Sequence, residues 1–169
     1  YPQENMELII FDDSEYKYEN EIIQQGNIRY IHDNSKVYKI WEKRQLLNEI
    51  STGDYIVCMD DDDIYMNDYV ECCISTLHNS NKLLAGIVNP YKYCILNTQM
   101  YRGKMKCKNM INCTLSYKRE ILKYTNYIDN GNNNAEEVNF TKNFTIDAEK
   151  LDNNCKMIHM KHTMNTVRK

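Results

Sequence analysis

Two short apolar runs in the first half of the chain each end in consecutive aspartates. Residues 7–11, Glu-Leu-Ile-Ile-Phe, precede a pair of aspartates, and residues 55–59, Tyr-Ile-Val-Cys-Met, precede four in a row. Short and nearly continuous apolar runs of this kind are typical of strands that are buried on both faces of a parallel sheet. The pattern therefore predicts two buried strands whose carboxyl ends carry acidic side chains.

Apolar residues with helical spacing occur between these two strands and again after the second one. From Ser35 the apolar residues recur on one face of a predicted helix, and Gly53 is a suitable residue just after its end. A second predicted helix begins at Asp68, with Glu71 three residues later, and ends near residues 78–81. Residues 27–32 alternate weakly and predict one more short strand. This alternation of strands and helices is typical of a layered α/β domain with a parallel sheet at its core.

The second half of the chain gives weaker signals. The pattern predicts strands over 83–88, 92–96 and 156–160, short helices over 118–124 and 136–144, and a polar loop over 129–134. Neither a repeat nor a linker divides the chain. With 169 residues and 20.2 kDa, it is expected to be a single domain, residues 1–169.

Charge and cysteine content narrow the possible classes. The chain carries 21 Lys and Arg against 24 Asp and Glu, a net charge of −3, which argues against a nucleic-acid or anionic-lipid partner. It has no run of about 18 apolar residues, so we expect no transmembrane segment. Its 7 cysteines include no CxxC pair, and Cys58, Cys72 and Cys73 have apolar neighbours typical of reduced core thiols. These features predict a reducing compartment and a cytoplasmic location.

Four consecutive aspartates, Asp60 to Asp63, need a compensating charge. Like charges a few ångströms apart repel by several kcal/mol at an effective dielectric of about 20. If the segment were extended, Asp60 and Asp62 would point to one side and could share a cation. Carboxylate oxygens after a buried strand suit Mg²⁺ or Mn²⁺, at the edge where open parallel sheets bind ligands. The alternative is a solvated acidic turn without a metal.

The order of these motifs resembles the family 2 glycosyltransferases. The resemblance is carried by Asp12-Asp13-Ser14 after a strand, Lys43-Arg44-Gln45 on a helix, and the segment 53–63, which leads from Gly53 through a strand into the four aspartates. The resemblance implies the GT-A fold, the nucleotide-diphospho-sugar transferase three-layer sandwich with a mainly parallel central sheet. The implied halves are residues 1–80 for nucleotide-sugar and metal binding, and 81–169 for the acceptor.

The resemblance also assigns roles to individual residues. Asp12 and Asp13 would approach the uracil or ribose of a UDP-sugar, Arg44 would lie near the base or phosphates, and Asp61 would contribute to donor binding. Asp60 and Asp62 would flank Mn²⁺ or Mg²⁺, with Asp62 the direct ligand. The remaining implied residues are the catalytic base Glu137, which follows Ala135-Glu136, and His162 and Asn165, which would complete the metal shell.

The implied reaction is transfer of a sugar, in the manner of a hexosyltransferase, to a hydroxyl of a glycan, protein or small molecule, with inversion. The family's opening strand and helix have no counterpart here, so we expect this segment to be missing from the chain or supplied by a partner in an oligomer. Two other functions stay open. One is a sugar-phosphate nucleotidyltransferase, although the Gly-rich phosphate loop that it would need is not visible. The other is a non-catalytic GT-A-like binding or scaffold domain.

Overall fold

The first two strands form a parallel pair that places Asp12 at its carboxyl end. The structure, a computed structural model, describes residues 3–18, 26–102, 110–129, 131, 136–151 and 157–163. Its strands are β1 (Leu8–Asp12), β2 (Ile28–His32), β3 (Tyr55–Val57), β4 (Ile64–Tyr65), β5 (Leu84–Gly86), β6 (Tyr91–Cys94), β7 (Gln99–Arg102), β8 (Ser116–Lys118), β9 (Ala148–Lys150) and β10 (Met157–Lys161). Its helices are α1 (Ile40–Ile50), α2 (Tyr69–His78) and α3 (Glu136–Phe140), with 3₁₀ turns at Gln3–Asn5, Asn112–Thr114 and Arg119–Lys123.

The remaining strands form two mixed sheets. One has the order β3-β8-β5-β9 and the other has the order β4-β10-β6-β7. Parallel pairing occurs between β1 and β2, β5 and β9, and β6 and β10, whereas β8 runs antiparallel to both β3 and β5. The expected α/β class is therefore confirmed, but the described sheets are mixed rather than mainly parallel. The short strands β4, β7 and β8, which the apolar pattern did not predict, make all the antiparallel pairs of the described residues and account for this difference.

The sheet β3-β8-β5-β9 lies between two apolar layers. Neighbouring residues of β5 point to opposite faces: Ala85 packs in a cluster with Tyr69 and Leu77 of α2, and Leu84 packs in a cluster with Tyr117 and Phe140. Because side chains alternate along a strand, this division requires a layer on each face. The described part of the chain thus has the layered arrangement that the sequence predicted.

Two helices are shorter than their apolar pattern predicts. Helix α1 begins at Ile40 rather than near Ser35, and the backbone N–H of Lys39 donates to the Glu42 carboxylate at 2.8 Å. Lys39 is therefore the N-cap residue, and the residues before it lie outside the helix. Helix α3 ends at Phe140 rather than at 144, because Lys142, Asn143 and Phe144 have φ values of 50°, 56° and 57°. Three successive left-handed residues cannot continue a right-handed helix.

The prediction of a reduced thiol was wrong for Cys72, which is disulfide-bonded. Consecutive helical residues point in directions about 100° apart, so Cys72 and Cys73 differ in burial although both contact the same apolar cluster. Cys73 is buried and free, whereas Cys72 lies at the flank of α2, half-buried. Cys72 therefore gives no support to the predicted reducing compartment, although Cys58, Cys94 and Cys113 are free.

None of the helices in the described part of the chain combines the length and the hydropathy needed to cross a bilayer.

Candidate functional site

The four aspartates after β3 form a turn rather than an extended segment. The backbone N–H of Asp63 donates to the carbonyl of Asp60 at 3.4 Å, which closes the turn. The strict alternation assumed from the sequence therefore does not apply, and the side chains point in several directions. Even so, one carboxylate oxygen from each of Asp60, Asp62 and Asp63 lies within 4.8 Å of the others, while Asp61 is exposed.

Asp60 faces the interior, where it meets Arg44 of α1. The Arg44 Nη2 donates to Asp60 Oδ1 at 2.8 Å, and its Nε donates to Glu136 Oε1 at 2.8 Å. Burial raises the pKa of Asp60 above its ordinary value, and the Arg44 guanidinium offsets part of that rise. The resemblance placed Arg44 near the base or phosphates of a nucleotide. In the structure its guanidinium lies between two carboxylates.

Asp62 lies at the surface beside His162. The His162 Nε2 is 2.9 Å from Asp62 Oδ2, and the two side chains are 26% and 37% exposed, respectively. This contact joins residues 100 positions apart, and it brings an imidazole nitrogen next to the carboxylate oxygens of the turn. Asn165 and Ala135, which the resemblance also named, lie outside the described residues.

Asp63 fixes the turn to the last strand. Its side chain has 0% exposure, and its Oδ1 accepts from the backbone N–H of Met160 at 2.8 Å and lies 2.9 Å from His159 Nδ1. Burial alone would raise the pKa of Asp63, but the hydrogen bonds from His159 and Met160 lower it below its ordinary value. Because Met160 and His162 belong to the same segment, this bond also helps to place His162 beside Asp62.

Two groups of side chains in the described residues have a spacing that suits a metal ion. The carboxylate oxygens of Asp60, Asp62 and Asp63 are hard donors that fit Mg²⁺ or Mn²⁺, and the His162 nitrogen, a softer donor, lies beside them. The second group is Asp63, Cys113 and His159. Burial is the main cause that raises the pKa of the Cys113 thiol well above its ordinary value, and the charges of Asp60 and Asp63 add to this rise. Asp63 and His159 of this second group lie within hydrogen-bond distance of each other, which links the turn to the last strand.

The aspartates after β1 lie at the same edge of the fold as Asp60. Asp12 accepts hydrogen bonds from the Tyr30 hydroxyl and from the backbone N–H of Ser14, and these bonds outweigh burial and lower its pKa to about 2. Asp13 forms an ion pair with Lys43. Since Lys43 and Arg44 are neighbours on α1, one turn of that helix contacts the carboxyl ends of both β1 and β3.

Glu137 is the second residue of α3 and is mostly buried. Its pKa is raised to about 7, first by burial and then by the charge of Glu136. The charges of Arg44 and Asp60 also act on the Glu137 carboxyl, which places it in the same electrostatic environment as the acidic turn. A carboxylate with a pKa close to neutral is well suited to accept a proton in a reaction.

Sequence reasoning did not assign site roles to Asp63 or Glu136, and it expected His159 to be structural. His159 does pack against Asp63, as a structural residue would. Glu136 stands directly before the predicted base, within the Glu-Glu step that carried the resemblance, so its position in the motif was the available signal. For Asp63 the available signal was the repulsion among the four consecutive carboxylates. A cation shared by Asp60 and Asp62 alone would leave the charge of Asp63 without a partner.

Comparison with known proteins identifies the family and the fold. Residues 1–154 match the family model described as Glycosyl transferase family 2. The solved structure of S. aureus TarS 1-349 is similar, with a TM-score of 0.70 and 12% identity, covering 95% of this chain and 52% of that one. TarS 1-349 in complex with UDP-GlcNAc gives a TM-score of 0.69 and 10% identity, covering 98% and 52%.

A third structure, S. aureus TarS, gives a TM-score of 0.70 and 12% identity, covering 95% of this chain and 32% of that one. The chain thus spans about half the length of TarS 1-349, at 52%. No match was found among curated proteins. The similar structures show the GT-A-like fold, and the family model covers residues 1–154 of 169, so the chain belongs to glycosyl transferase family 2.

Proposed function

We propose that this chain is the single GT-A-like domain of a glycosyltransferase that moves a sugar from a UDP-sugar to an acceptor hydroxyl, with a divalent metal and with inversion at the anomeric carbon. The observation that carries the proposal is the position of Glu137. Its carboxyl has a pKa of about 7, and the residue directly follows Glu136, which Arg44 joins to Asp60. One Asp60 oxygen in turn lies within 4.8 Å of oxygens of Asp62 and Asp63. A base and a metal-binding turn at one site suit this chemistry.

The donor is proposed to bind between the ends of β1 and β3. Asp12 and Asp13 would hold the nucleoside, because carboxylates accept hydrogen bonds from the ring N–H of uracil and from ribose hydroxyls. Asp61, which is exposed on the same turn, would contribute to donor binding. The UDP-GlcNAc complex of TarS 1-349 supports a UDP-sugar as the class of donor.

Asp60, Asp62 and His162 are proposed to hold Mn²⁺ or Mg²⁺ against the diphosphate, with Asp62 as the direct carboxylate ligand. The bound ion would supply Lewis-acid stabilisation of the negative charge that develops on the leaving diphosphate. The protein's own contribution is to fix the oxygens of the turn. Asp63 does this through Met160 and His159, and Asp60 is held through Arg44.

Glu137 is proposed to take the proton of the acceptor hydroxyl as the new C–O bond forms. General-base catalysis of this kind contributes about 10²–10⁴-fold. The Glu137 carboxylate would act on the face of the sugar opposite the diphosphate, and attack from that face inverts the anomeric carbon. The acceptor is a hydroxyl of a glycan, a protein or a small molecule, which would place the enzyme in glycan biosynthesis.

Release of UDP from a panel of UDP-sugars, measured with and without Mn²⁺, tests this function. We expect Mn²⁺-dependent release by the wild type with at least one donor. Glu137→Gln should lower release by about 10²-fold or more while UDP binding is retained. Glu49→Gln on the exposed face of α1 is the matched control and should behave as the wild type. The proposal fails if release occurs without a divalent metal, or if Glu137→Gln is as active as the control.

A further inference from the structure

Arg44 joins two parts of the site that are far apart in the chain. Its side chain is 10% exposed and lies between Asp60, 16 residues away, and Glu136, 92 residues away. Both contacts measure 2.8 Å, and they use different nitrogens of the guanidinium, Nη2 and Nε. The metal-side turn and the first residue of α3 are therefore connected through one buried cation.

The connection acts on a short helix. Helix α3 has five residues, too few to be stable in isolation. Its last residue, Phe140, is fully buried and stacks on Tyr127 with ring centroids 4.4 Å apart. At its other end, Glu136 is 7% exposed and bonds to Arg44. Within the described contacts, α3 is thus held by an apolar anchor at its carboxyl end and by a charged one at its amino end, with Glu137 directly beside the charged anchor.

A guanidinium is suited to this position, and an ammonium is not. The planar fork of arginine presents donors in fixed directions, so that one side chain can satisfy two acceptors at once, whereas lysine is a single point charge on a flexible stem. Removing one partner from a buried charged group leaves the other uncompensated, which is strongly unfavourable. The two contacts of Arg44 are therefore expected to fix the distance between α3 and the turn, in addition to stabilising the fold.

We propose that Arg44 and Glu136 are positioning residues, which hold Glu137 in register with the metal-side Asp60 through the bonds from Arg44 to Asp60 and Glu136. This inference rests on the proposed function for its catalytic meaning. It assigns Arg44 a place inside the protein rather than on the phosphates of the donor. It also assigns Glu136 a role that differs from that of its neighbour Glu137. Glu136 bonds to Arg44, whereas Glu137 is the residue that acts on the substrate.

The test compares Glu136→Gln, Glu136→Ala and Arg44→Lys with the wild type and with the Glu49→Ala control. Glutamine keeps the oxygen that accepts from Arg44 Nε, and alanine removes it. Displacing a reacting group by about 1 Å can cost on the order of 10²-fold in rate. For Mn²⁺-dependent UDP release, we expect Glu136→Ala to lower kcat by about tenfold to 10²-fold without weakening UDP binding, while Glu136→Gln restores activity to within a few-fold of the wild type.

Arg44→Lys should lower kcat in the same way, because lysine has a single nitrogen in place of the two that arginine directs at Glu136 and Asp60. Equal losses in UDP affinity and in kcat for Glu136→Ala would overturn the inference, since they would place Glu136 in donor binding. Wild-type kinetics for Glu136→Ala would overturn it as well.

Hydrogen exchange of the backbone amides of residues 137–141 tests the same inference without any turnover. We expect faster exchange in Glu136→Ala than in the wild type, and near wild-type exchange in Glu136→Gln. Unchanged exchange in Glu136→Ala would overturn the inference even if every UDP-sugar proved inert. Conversely, a wild type that releases no UDP, together with faster exchange in Glu136→Ala and unchanged exchange in Glu136→Gln, would contradict the proposed function. That result would still support the positioning role of the contact between Arg44 and Glu136.

Discussion

The imidazole of His162 lies 2.9 Å from the carboxylate of Asp62, although the two residues are 100 positions apart in the chain. The contact joins the turn after β3 to the end of β10. If both side chains hold the proposed metal, loss of the imidazole removes a ligand and leaves the carboxylates in place. We therefore expect His162→Ala to weaken Mn²⁺-dependent UDP binding by about 10–100-fold.

Calorimetric titration of UDP in the presence of Mn²⁺ measures this change. His78→Ala is the matched control, because His78 is exposed at the end of α2 and contacts Tyr55 rather than the turn. The metal role of His162 is contradicted if both variants bind UDP as tightly as the wild type.

The raised pKa of Glu137 makes a prediction about stability and pH. The folded protein holds this proton up to a pKa of about 7, whereas the unfolded chain releases it near the ordinary value of 4.5. The folded state therefore binds more protons in this window, and the free energy of unfolding falls as the pH rises through it. Glu137→Gln removes this dependence. The free energy of unfolding of the variant, relative to that of the wild type, should therefore increase with pH, by at most about 3 kcal/mol.

Urea unfolding of both proteins from about pH 4 to about pH 8, a range that brackets this titration, measures the difference. A constant difference across that range would show that Glu137 titrates near its ordinary value in the folded protein.

The buried carboxylate of Asp63 predicts a loss of stability that exposed aspartates do not share. Asp63→Ala leaves the backbone N–H of Met160 and the His159 ring without their acceptor in a site with 0% side-chain exposure. An unsatisfied buried donor costs about 1–3 kcal/mol. We expect the free energy of unfolding to fall by that amount in urea, against less than about 0.5 kcal/mol for the exposed control Asp54→Ala. Equal effects of the two substitutions would mean that the turn is not fixed through Asp63.

The disulfide at Cys72 predicts a redox-dependent stability. Reduction should lower the free energy of unfolding by about 2–4 kcal/mol, because a disulfide restricts the unfolded chain. Peptide mapping by mass spectrometry without reductant should find Cys72 linked to a second cysteine peptide that separates on reduction. Alkylation of Cys72 in the folded, unreduced protein would contradict the bond.

The sequence predicted the framework of the site better than the sheet that carries it. The strands that end at Asp12 and shortly before Asp60 were predictable, because buried apolar runs stand out from their polar neighbours. Strand β4 has two residues and β8 has three, which is too short for any periodicity to be read. Their pairing is decided by contacts with distant strands, and this is why the mixed character of the sheets could not be predicted.

The order of the motifs predicted candidate residues of the site but not the partners that these residues have in the fold. Asp60, Asp62 and His162 were named from the resemblance, and the structure brings them together. The contacts of Arg44 with Glu136 and of Asp63 with His159 join residues that are 92 and 96 positions apart. Only the fold sets such distances. The sequence could therefore single out Arg44, which the resemblance placed near the base or phosphates, but not its contacts with Asp60 and Glu136.

Titration of UDP into the wild type and into Asp62→Ala, each with and without Mn²⁺, tests the central claim most directly. If the acidic turn holds a metal against the diphosphate of the donor, the wild type will bind UDP tightly only with Mn²⁺, and Asp62→Ala will lose that dependence. UDP binding that is equally strong with and without Mn²⁺, or that survives unchanged in Asp62→Ala, would contradict it.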